Sequence, residues 1–173
     1  MQKTRFRFMQ IAIAAIAIAI PISALAADPL PEQYKAAQVF GGKAKMPQFK
    51  GRDKAYRQFR TQIRDGLADG VNFAGHYTVV QFGCGAGCVT GFIVDDSNGR
   101  VYDAPRGGEA NMYLTLRYQK DSRLIVAQWA DNAKNACNLE FLEWDEGETK
   151  VLSSRKVGGT DDCFKDIKDN LAK

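Results

Sequence analysis

The chain has 173 residues, with 24 Lys and Arg against 20 Asp and Glu. Three of the cations, Lys3, Arg5 and Arg7, precede residue 27 and no acid accompanies them, so residues 27–173 carry 21 basic and 20 acidic side chains. A balance this close to neutral gives no reason to expect nucleic acid or an anionic surface as the partner.

The first 26 residues have the organisation of a secretory signal peptide. An apolar run from Ile11 to Ile20 follows the three cations, Pro21 ends it, and the sequence Ala24-Leu25-Ala26 offers small residues to a signal peptidase. A membrane anchor is the alternative, but the run is shorter than the roughly 20 residues that span a bilayer. We therefore expect cleavage after Ala26, no stable membrane anchor afterwards, and a periplasmic or secreted product.

The remaining residues, 27–173, are predicted to form a single domain, since no repeat or composition shift divides them. An amphipathic helix is predicted over residues 53–67, and a shorter one over residues 31–40. The apolar positions of the first recur at spacings of three and four: Tyr56, Phe59, Ile63 and Leu67.

After Gly70 the pattern changes to short β-prone runs separated by turn sequences. The predicted strands are residues 76–82, 89–94, 100–103, 112–118, 123–130, 139–144 and 150–156. Short connections such as "DDSNGR" and "DEGE" force neighbouring strands to be antiparallel. A last helix, capped by Thr160 or Asp161, is predicted within "DDCFKDIKDNLAK". The fold class expected is α+β, an N-terminal amphipathic helix followed by one antiparallel β-meander.

Four cysteines in an exported chain predict two disulfides. Three pairings are possible from the sequence. We favour Cys84 with Cys88, because the small residues of "CGAGC" permit a tight turn, and Cys137 with Cys163, which ties a strand to the C-terminal segment.

His76 is the only histidine, and it precedes Cys84 and Cys88 in one short stretch. A thiol enzyme needs a thiolate beside its histidine base. If His76 begins a strand that Cys84 ends, however, about 25 Å separates them at about 3.3 Å per residue. A cysteine in a disulfide also supplies no nucleophile, so we expect no catalytic residue, with His76, Cys84 and Cys88 the candidates if the protein is an enzyme.

The same three residues, His76, Cys84 and Cys88, are also the candidates for a metal site. Structural zinc sites usually combine two ligand pairs, which one histidine and one cysteine pair do not supply. The stretch from Asp95 to Arg100 resembles a calcium loop, but Arg106 stands where the bidentate glutamate would be. We expect neither a metal nor another cofactor.

Three arginines, Arg57, Arg60 and Arg64, recur along one face of the first predicted helix. They could meet an acidic partner. We favour a solvated helix face, whose charge Asp53 and Asp65 soften.

The stretch "VNFAGHYTVVQFGCGAGCVTGFIVDDSNGRVYDAP", residues 71–105, resembles a segment of uncharacterised exported bacterial proteins. These carry a Phe-Ala-Gly-x-Tyr strand, a Gly-Cys-Gly-x-x-Cys turn and a hairpin ending in Gly-x-Val-Tyr. The resemblance brings no established activity. It implies a scaffold role for this stretch: a strand that runs into a disulfide-closed turn and then a hairpin.

The function expected is that of an exported cell-envelope protein, a non-enzymatic binding or inhibitor-like module. Its partner would be another envelope or extracellular protein rather than nucleic acid. The loop "APRGGEAN", residues 104–111, is the longest Gly-rich connection of the β region and a candidate contact loop. The alternative is an envelope hydrolase or thiol enzyme that uses His76 with an unpaired cysteine.

Overall fold

The computed structural model describes residues 27–173, so the predicted signal peptide lies outside the described residues. The described chain forms two antiparallel sheets, a three-stranded sheet in the order β1-β2-β3 and a four-stranded sheet in the order β4-β5-β6-β7. The strands are β1 Tyr77–Gly85, β2 Cys88–Asp95, β3 Arg100–Asp103, β4 Met112–Gln119, β5 Ser122–Asp131, β6 Ala136–Asp145 and β7 Glu148–Gly158. Two short α-helices, α1 (Arg60–Leu67) and α2 (Ile167–Leu171), complete the regular structure together with short 3-10 turns.

The predicted fold class, α+β with a single meander, is wrong. The described chain is mostly antiparallel β, and its strands divide into two sheets between β3 and β4. The eight residues 104–111, which separate those strands, are long enough to pass from one sheet to the other instead of closing a tight hairpin. Because β1 and β2 bury side chains on both faces, they need a layer on each side.

Side-chain alternation along β1 and β2 produces this layering. Val79 and Ile93 face the four-stranded sheet and pack in one cluster with Ile125 and Leu142. Their neighbours in sequence point the opposite way and form a second cluster with α1: Val80, Phe92, Val94, Ile63 and Leu67. A third cluster joins the outer face of the four-stranded sheet to the C-terminal segment. The layers are therefore helix, three-stranded sheet, four-stranded sheet and C-terminal segment.

The helix predicted over residues 53–67 is only half α-helical. Residues Lys54–Phe59 form a 3-10 helix, and α1 covers the rest. In a 3-10 helix, residues three apart lie on one side, and this brings Tyr56 and Phe59 onto the same ring, Phe92, with ring centroids 5.2 and 5.0 Å away. Packing against Phe92 therefore favours a 3-10 helix over residues 54–59, where the spacing of apolar residues predicts an α-helix.

The helices predicted at the two ends are also shorter than expected. Only Pro31–Tyr34 is helical, as a 3-10 turn, within residues 31–40. The following segment is extended because it bonds to neighbouring turns: Ala36 N–H donates to the Asp121 carbonyl at 2.8 Å. Near the C-terminus, α2 begins after Asp166, whose side chain accepts from the Lys168 N–H, so neither Thr160 nor Asp161 caps it.

The two predicted disulfides are present, and they join Cys84 to Cys88 and Cys137 to Cys163, the pairing favoured above. Such bonds fit an oxidising extracellular environment. Among residues 27–173, no helix combines the length and apolarity needed to cross a bilayer.

Candidate functional site

A strained turn places His76 at the entrance to β1. The N–H of Tyr77 donates to the Phe73 carbonyl at 3.0 Å, and the N–H of Phe73 donates to the Tyr77 carbonyl at 2.9 Å. Between them Ala74 and Gly75 have φ values of 43° and 83°. The left-handed conformation is costly for the buried Ala74, and strained backbone of this kind is common at functional sites.

Gly75 lets the N-terminal segment close against this turn. A Cβ atom at Gly75 would lie 2.3 Å from the Gln38 carbonyl oxygen. The Gly75 carbonyl accepts from the Phe40 N–H, and its N–H donates to the Lys120 carbonyl, both at 2.7 Å. The turn is therefore fixed from two sides.

A cleft of about 420 Å³ opens beside His76. Its walls come from four parts of the chain: the segment 35–38, the turn with His76, Arg123 near the start of β5, and the end of β6 with the turn that follows it. Trp144 and Glu146 belong to that last wall. The cleft thus lies between the start of β1 in one sheet and the start of β5 and the end of β6 in the other.

Two carboxylates approach the His76 imidazole from different sheets. Nε2 lies 4.0 Å from Asp95 Oδ2 and 4.0 Å from Glu146 Oε1. Both distances exceed the 2.7–3.2 Å of a hydrogen bond. The imidazole packs on the Tyr77 ring, with centroids 4.2 Å apart, and 28% of the His76 side chain is exposed. The imidazole edge therefore faces two acids without bonding to either.

Asp95 is fixed by the turn that follows β2. Its Oδ1 accepts from the Ser97 N–H at 2.8 Å and from the Ser97 hydroxyl, while the Asn98 amide donates to Oδ2. The serine hydroxyl is thus directed to Asp95 and not to His76. A nucleophilic triad requires the histidine between serine and acid, so this order of groups does not activate Ser97.

Glu146 takes a backbone conformation that glutamate rarely adopts. It has φ 48° in the two-residue turn between β6 and β7, where Asn, Asp or Gly is preferred. The Tyr77 hydroxyl donates to Glu146 Oε2 at 3.3 Å. Burial, followed by the Glu146 charge, raises the pKa of Tyr77 far above its usual range. The Tyr77 hydroxyl therefore stays protonated at neutral pH, where it donates to Glu146.

Asp96 lies behind His76 and is buried. Its N–H donates to the His76 carbonyl at 2.8 Å, but its Oδ1 has no hydrogen-bond partner among the described residues. Burial is the largest cause that raises the pKa of Asp96, and the neighbouring Asp95 charge adds to it. Asp96 therefore supports the position of His76 through its backbone.

The structure does not bring the sequence-predicted thiols to His76. Strand β1 separates His76, before its first residue, from Cys84, near its last. All four cysteines lie in the described part of the chain and all are in disulfides. Neither Cys84 nor Cys88 is a nucleophile in this state. Residues 27–173 also hold no group of three His, Cys, Asp or Glu arranged for a metal ion.

The candidate contact loop, residues 104–111, lies at the opposite end of the sandwich and is partly buried except for the exposed Glu109 and Ala110. Arg106 forms an ion pair with the buried Glu140, and its guanidinium lies 5.4 Å from the Trp129 ring centroid. Asn111 Oδ1 accepts from the Gly107 N–H at 3.1 Å. These contacts use the loop to join the sheets, so the His76 cleft is the better candidate site.

Sequence reasoning identified His76 but missed its two acids. A signal for Glu146 is present in "DEGE", where a glutamate occupies a turn position that favours Asn or Gly. Nothing local links it to His76. No protein-family model, curated protein or solved structure matches the chain.

Proposed function

We propose that this protein is an exported, non-enzymatic binding module that receives a cationic side chain of another envelope or extracellular protein in the His76 cleft. The observation that carries the proposal is the convergence of Asp95 and Glu146 on the edge of His76, each at 4.0 Å. A cation placed in the cleft meets Glu146 Oε1, an acceptor that His76 does not reach within hydrogen-bond distance, while the buried Asp95 adds negative charge behind it.

The cleft is lined by two cations, Lys35 and Arg123, and by two acids, Asp145 and Glu146, so the exposed Glu146 carboxylate and not the net charge of the lining attracts a cation. Arg123, one of its lining residues, is already paired with Glu143 at 3.0 Å and with Asp145 at 3.5 Å. Glu146 is 75% exposed, and the neutral Tyr77 hydroxyl donates to only one of its oxygens. A lysine or arginine from a partner would meet this exposed carboxylate first. Charge-assisted hydrogen bonds of this kind are stronger than neutral ones.

The cleft is also preorganised, which reduces the entropy lost on binding. Gly75 is bonded on both sides, and Asp95 is held by the turn that follows β2. The left-handed backbone of Glu146 and the hydrogen bond from Tyr77 fix where its carboxylate enters the cleft. Ala74 and Glu146 are two of the four non-glycine residues with positive φ within residues 27–173, and backbone strain of this kind is common where a site is used.

The chemistry available around His76 supports binding over hydrolysis. The two hydroxyl groups near His76 both donate to acids: that of Ser97 to Asp95 and that of Tyr77 to Glu146. Neither is hydrogen-bonded to His76, as a nucleophile would be to its base. Both cysteines of the thiol hypothesis are in a disulfide. A binding role needs only the acids and the rigid backbone that this cleft offers.

The test is an NMR titration of the labelled protein with short peptides that contain one lysine or one arginine. We expect amide shifts confined to the walls of the cleft, residues 35–38, 74–77, 123 and 144–147, and to the adjoining turn 95–97, and no comparable shifts with a glutamate peptide of the same length. Glu146→Gln should weaken the lysine peptide at least about tenfold, since a charge-assisted hydrogen bond is worth about 1.5–3 kcal/mol.

Glu148→Gln is the matched control. It removes the same charge from the start of β7, at a residue that does not line the cleft. It should leave the affinity within about twofold, as expected of an exposed charge outside the contact. Equal losses of peptide affinity in Glu146→Gln and Glu148→Gln, or amide shifts outside the cleft and its adjoining turn, would overturn the proposal.

A further inference from the structure

The near-neutral charge of residues 27–173 conceals a strong segregation. Residues 43–69, here called the cationic layer, hold eight Lys and Arg against three Asp and Glu. The other described residues hold 13 Lys and Arg against 17 Asp and Glu. One layer of the molecule is therefore basic and the remainder is acidic.

The fold turns these cations outward. Ile63 and Leu67 are buried against β1 and β2, and Tyr56 and Phe59 pack on Phe92. The opposite side of this layer faces solvent. Its eight cationic residues are all exposed: Lys43, Lys45, Lys50, Arg52, Lys54, Arg57, Arg60 and Arg64.

The acids expected to soften this face do not reach most of it. Asp53 is buried, and its carboxylate accepts from Arg52 and from the N–H groups of Gln48 and Val101. Asp65 pairs with Arg64 at 2.8 Å. Asp53 and Asp65 are therefore committed to Arg52 and Arg64, and Asp69, exposed beyond the end of α1, is the one acid of this layer left over.

Three of the remaining cations, Lys54, Arg57 and Arg60, line one shallow groove. Within residues 27–173, the described ion pairs include none of these three side chains. The solvated helix face predicted from the sequence is exposed as expected, but its charge is not compensated.

We propose that the cationic layer docks the protein on a bilayer surface rich in anionic lipid headgroups. A broad, open face of separate cations matches an extended array of phosphates better than one compact ligand. Its apolar side chains are packed beneath it except for the exposed Met46, so adsorption is mainly electrostatic. Tyr56 and Phe59 are turned onto Phe92, which leaves no aromatic platform for the bases of a single-stranded nucleic acid.

The expected strength follows from the number of free cations. Each Lys or Arg near an anionic bilayer contributes a factor of roughly five in partitioning, so three of them contribute about a hundredfold. The attraction acts within a Debye length, about 10 Å at 0.1 M salt, so binding should weaken steeply as salt is added. The inference is independent of the cleft proposal, because the two sites share no residue.

The experiment is vesicle co-sedimentation of the exported protein with phosphatidylglycerol mixed into phosphatidylcholine, against phosphatidylcholine alone. The test variant replaces Lys54, Arg57 and Arg60 with Gln. The control variant replaces Arg117, Lys120 and Lys150, exposed cations of the four-stranded sheet and its turn, with Gln. All variants carry the same N-terminal residues, so differences in binding report the substituted side chains.

We expect the wild-type protein to bind only the anionic vesicles, the layer variant to bind about a hundredfold more weakly, and the control variant to stay within a few fold. Equal losses of vesicle binding in the layer variant and the control variant would show that binding depends only on the net charge of the protein. That result overturns the docking proposal, as does absence of wild-type binding. Tighter binding to soluble polyphosphate or duplex DNA than to anionic vesicles, at one salt concentration, would also overturn it. Circular dichroism verifies that both variants fold.

Discussion

The hydroxyl of Tyr77 donates to the carboxylate of Glu146 at 3.3 Å, and this contact joins the two sheets at the cleft. Tyr77 is the first residue of β1, in the three-stranded sheet, while Glu146 lies in the turn between β6 and β7 of the four-stranded sheet. The two residues are 69 positions apart in sequence. The pair therefore couples the geometry of the cleft to the packing of the sandwich.

Two substitutions of Glu146 should separate the effect of its charge on binding from the energetic cost of its left-handed backbone. Glu146→Asn and Glu146→Gln both remove the charge, but only Asn is well tolerated at φ 48°. We expect the Asn variant to have a free energy of unfolding about 0.5–1 kcal/mol above that of the Gln variant. Urea denaturation of both proteins measures the difference.

Both Glu146 variants should lose the affinity for the lysine peptide to the same extent, because each lacks the carboxylate. A stabilised Asn variant that binds as poorly as the Gln variant would show that the strain is retained for function. If Asn and Gln unfold at the same urea concentration, the left-handed turn carries no measurable cost and the argument from strain fails.

Gly75→Ala should be severely destabilising. The new Cβ atom would meet the Gln38 carbonyl oxygen at 2.3 Å, in a backbone conformation with φ 83°. Left-handed strain and the steric clash together cost roughly 3 kcal/mol. The N-terminal segment should also detach from the turn, which opens one wall of the cleft.

Gly70→Ala is the matched control for this prediction. Gly70 has φ 72°, but nothing lies within 4 Å of its added Cβ atom. Gly70→Ala should therefore lower the free energy of unfolding only through left-handed backbone strain, by about 1 kcal/mol. Urea midpoints that fall equally for the two variants would mean that the close approach of residues 36–40 to Gly75 is not needed for stability.

Much of the strand content was predictable because alternation and turn residues act over a few positions. Each of the seven predicted strands overlaps one observed strand, with ends that differ by at most three residues. Cys84 and Cys88 were also paired by a local argument, the small loop between them. The division into two sheets depends instead on which faces of β1 and β2 are covered, and no short window contains that information.

The site was less predictable than the fold. His76 was noticed because it is the only histidine, and it was considered with Cys84 and Cys88 because they are near in sequence. An extended strand carries sequence neighbours apart, since each residue advances it by about 3.3 Å. The acids that lie close to His76 arrive from β2 and from the turn after β6, through long-range sheet packing.

The two disulfides should contribute unequally to stability. The bond between Cys137 and Cys163 spans 26 residues, and that between Cys84 and Cys88 spans four. Loop-closure entropy predicts losses of about 3.5 and about 2 kcal/mol when each pair is replaced by alanine. For the Cys137–Cys163 pair, the loss of unfolding free energy should exceed this entropic value, because both cysteines are buried in the cluster that holds the C-terminal segment.

Denaturation of the two double variants, Cys84→Ala/Cys88→Ala and Cys137→Ala/Cys163→Ala, tests this order. The second should also free the Gln128 side chain, which donates to the Cys163 and Lys165 carbonyls at 3.3 and 3.2 Å. A larger loss from the first variant would contradict the entropy argument. It would assign the Cys84–Cys88 turn a packing role larger than expected from one exposed and one buried cysteine.

Two acids should shift the pH dependence of stability in opposite directions. Burial raises the pKa of Asp96, so the folded chain holds its proton more tightly than the unfolded chain. For Asp162, the hydrogen bond from Lys165, followed by that from Lys173, holds the pKa well below its usual range. Asp96 therefore lowers stability where it is ionised, and Asp162 raises it.

The sign for Asp96 gives a direct expectation. Below the unfolded pKa, near 3.9, Asp96 is protonated in both states and costs nothing. As pH rises from there through the higher folded pKa, the unfolded chain ionises first and the wild-type protein loses stability. Asp96→Asn should thus be more stable than wild type at pH 7, by about 1 kcal/mol, and this gain should vanish under acid conditions.

Asp162→Asn should behave in the opposite way. The stabilisation from ionised Asp162 is complete above the unfolded pKa, near 3.9, and is lost as pH falls towards the lower folded value. The variant should be less stable than wild type at neutral pH, and the two curves should converge on acidification. Urea unfolding across the acid range measures both variants together. Parallel curves for Asp96→Asn and wild type would mean that this buried carboxyl ionises with the same pKa in the folded and unfolded chains.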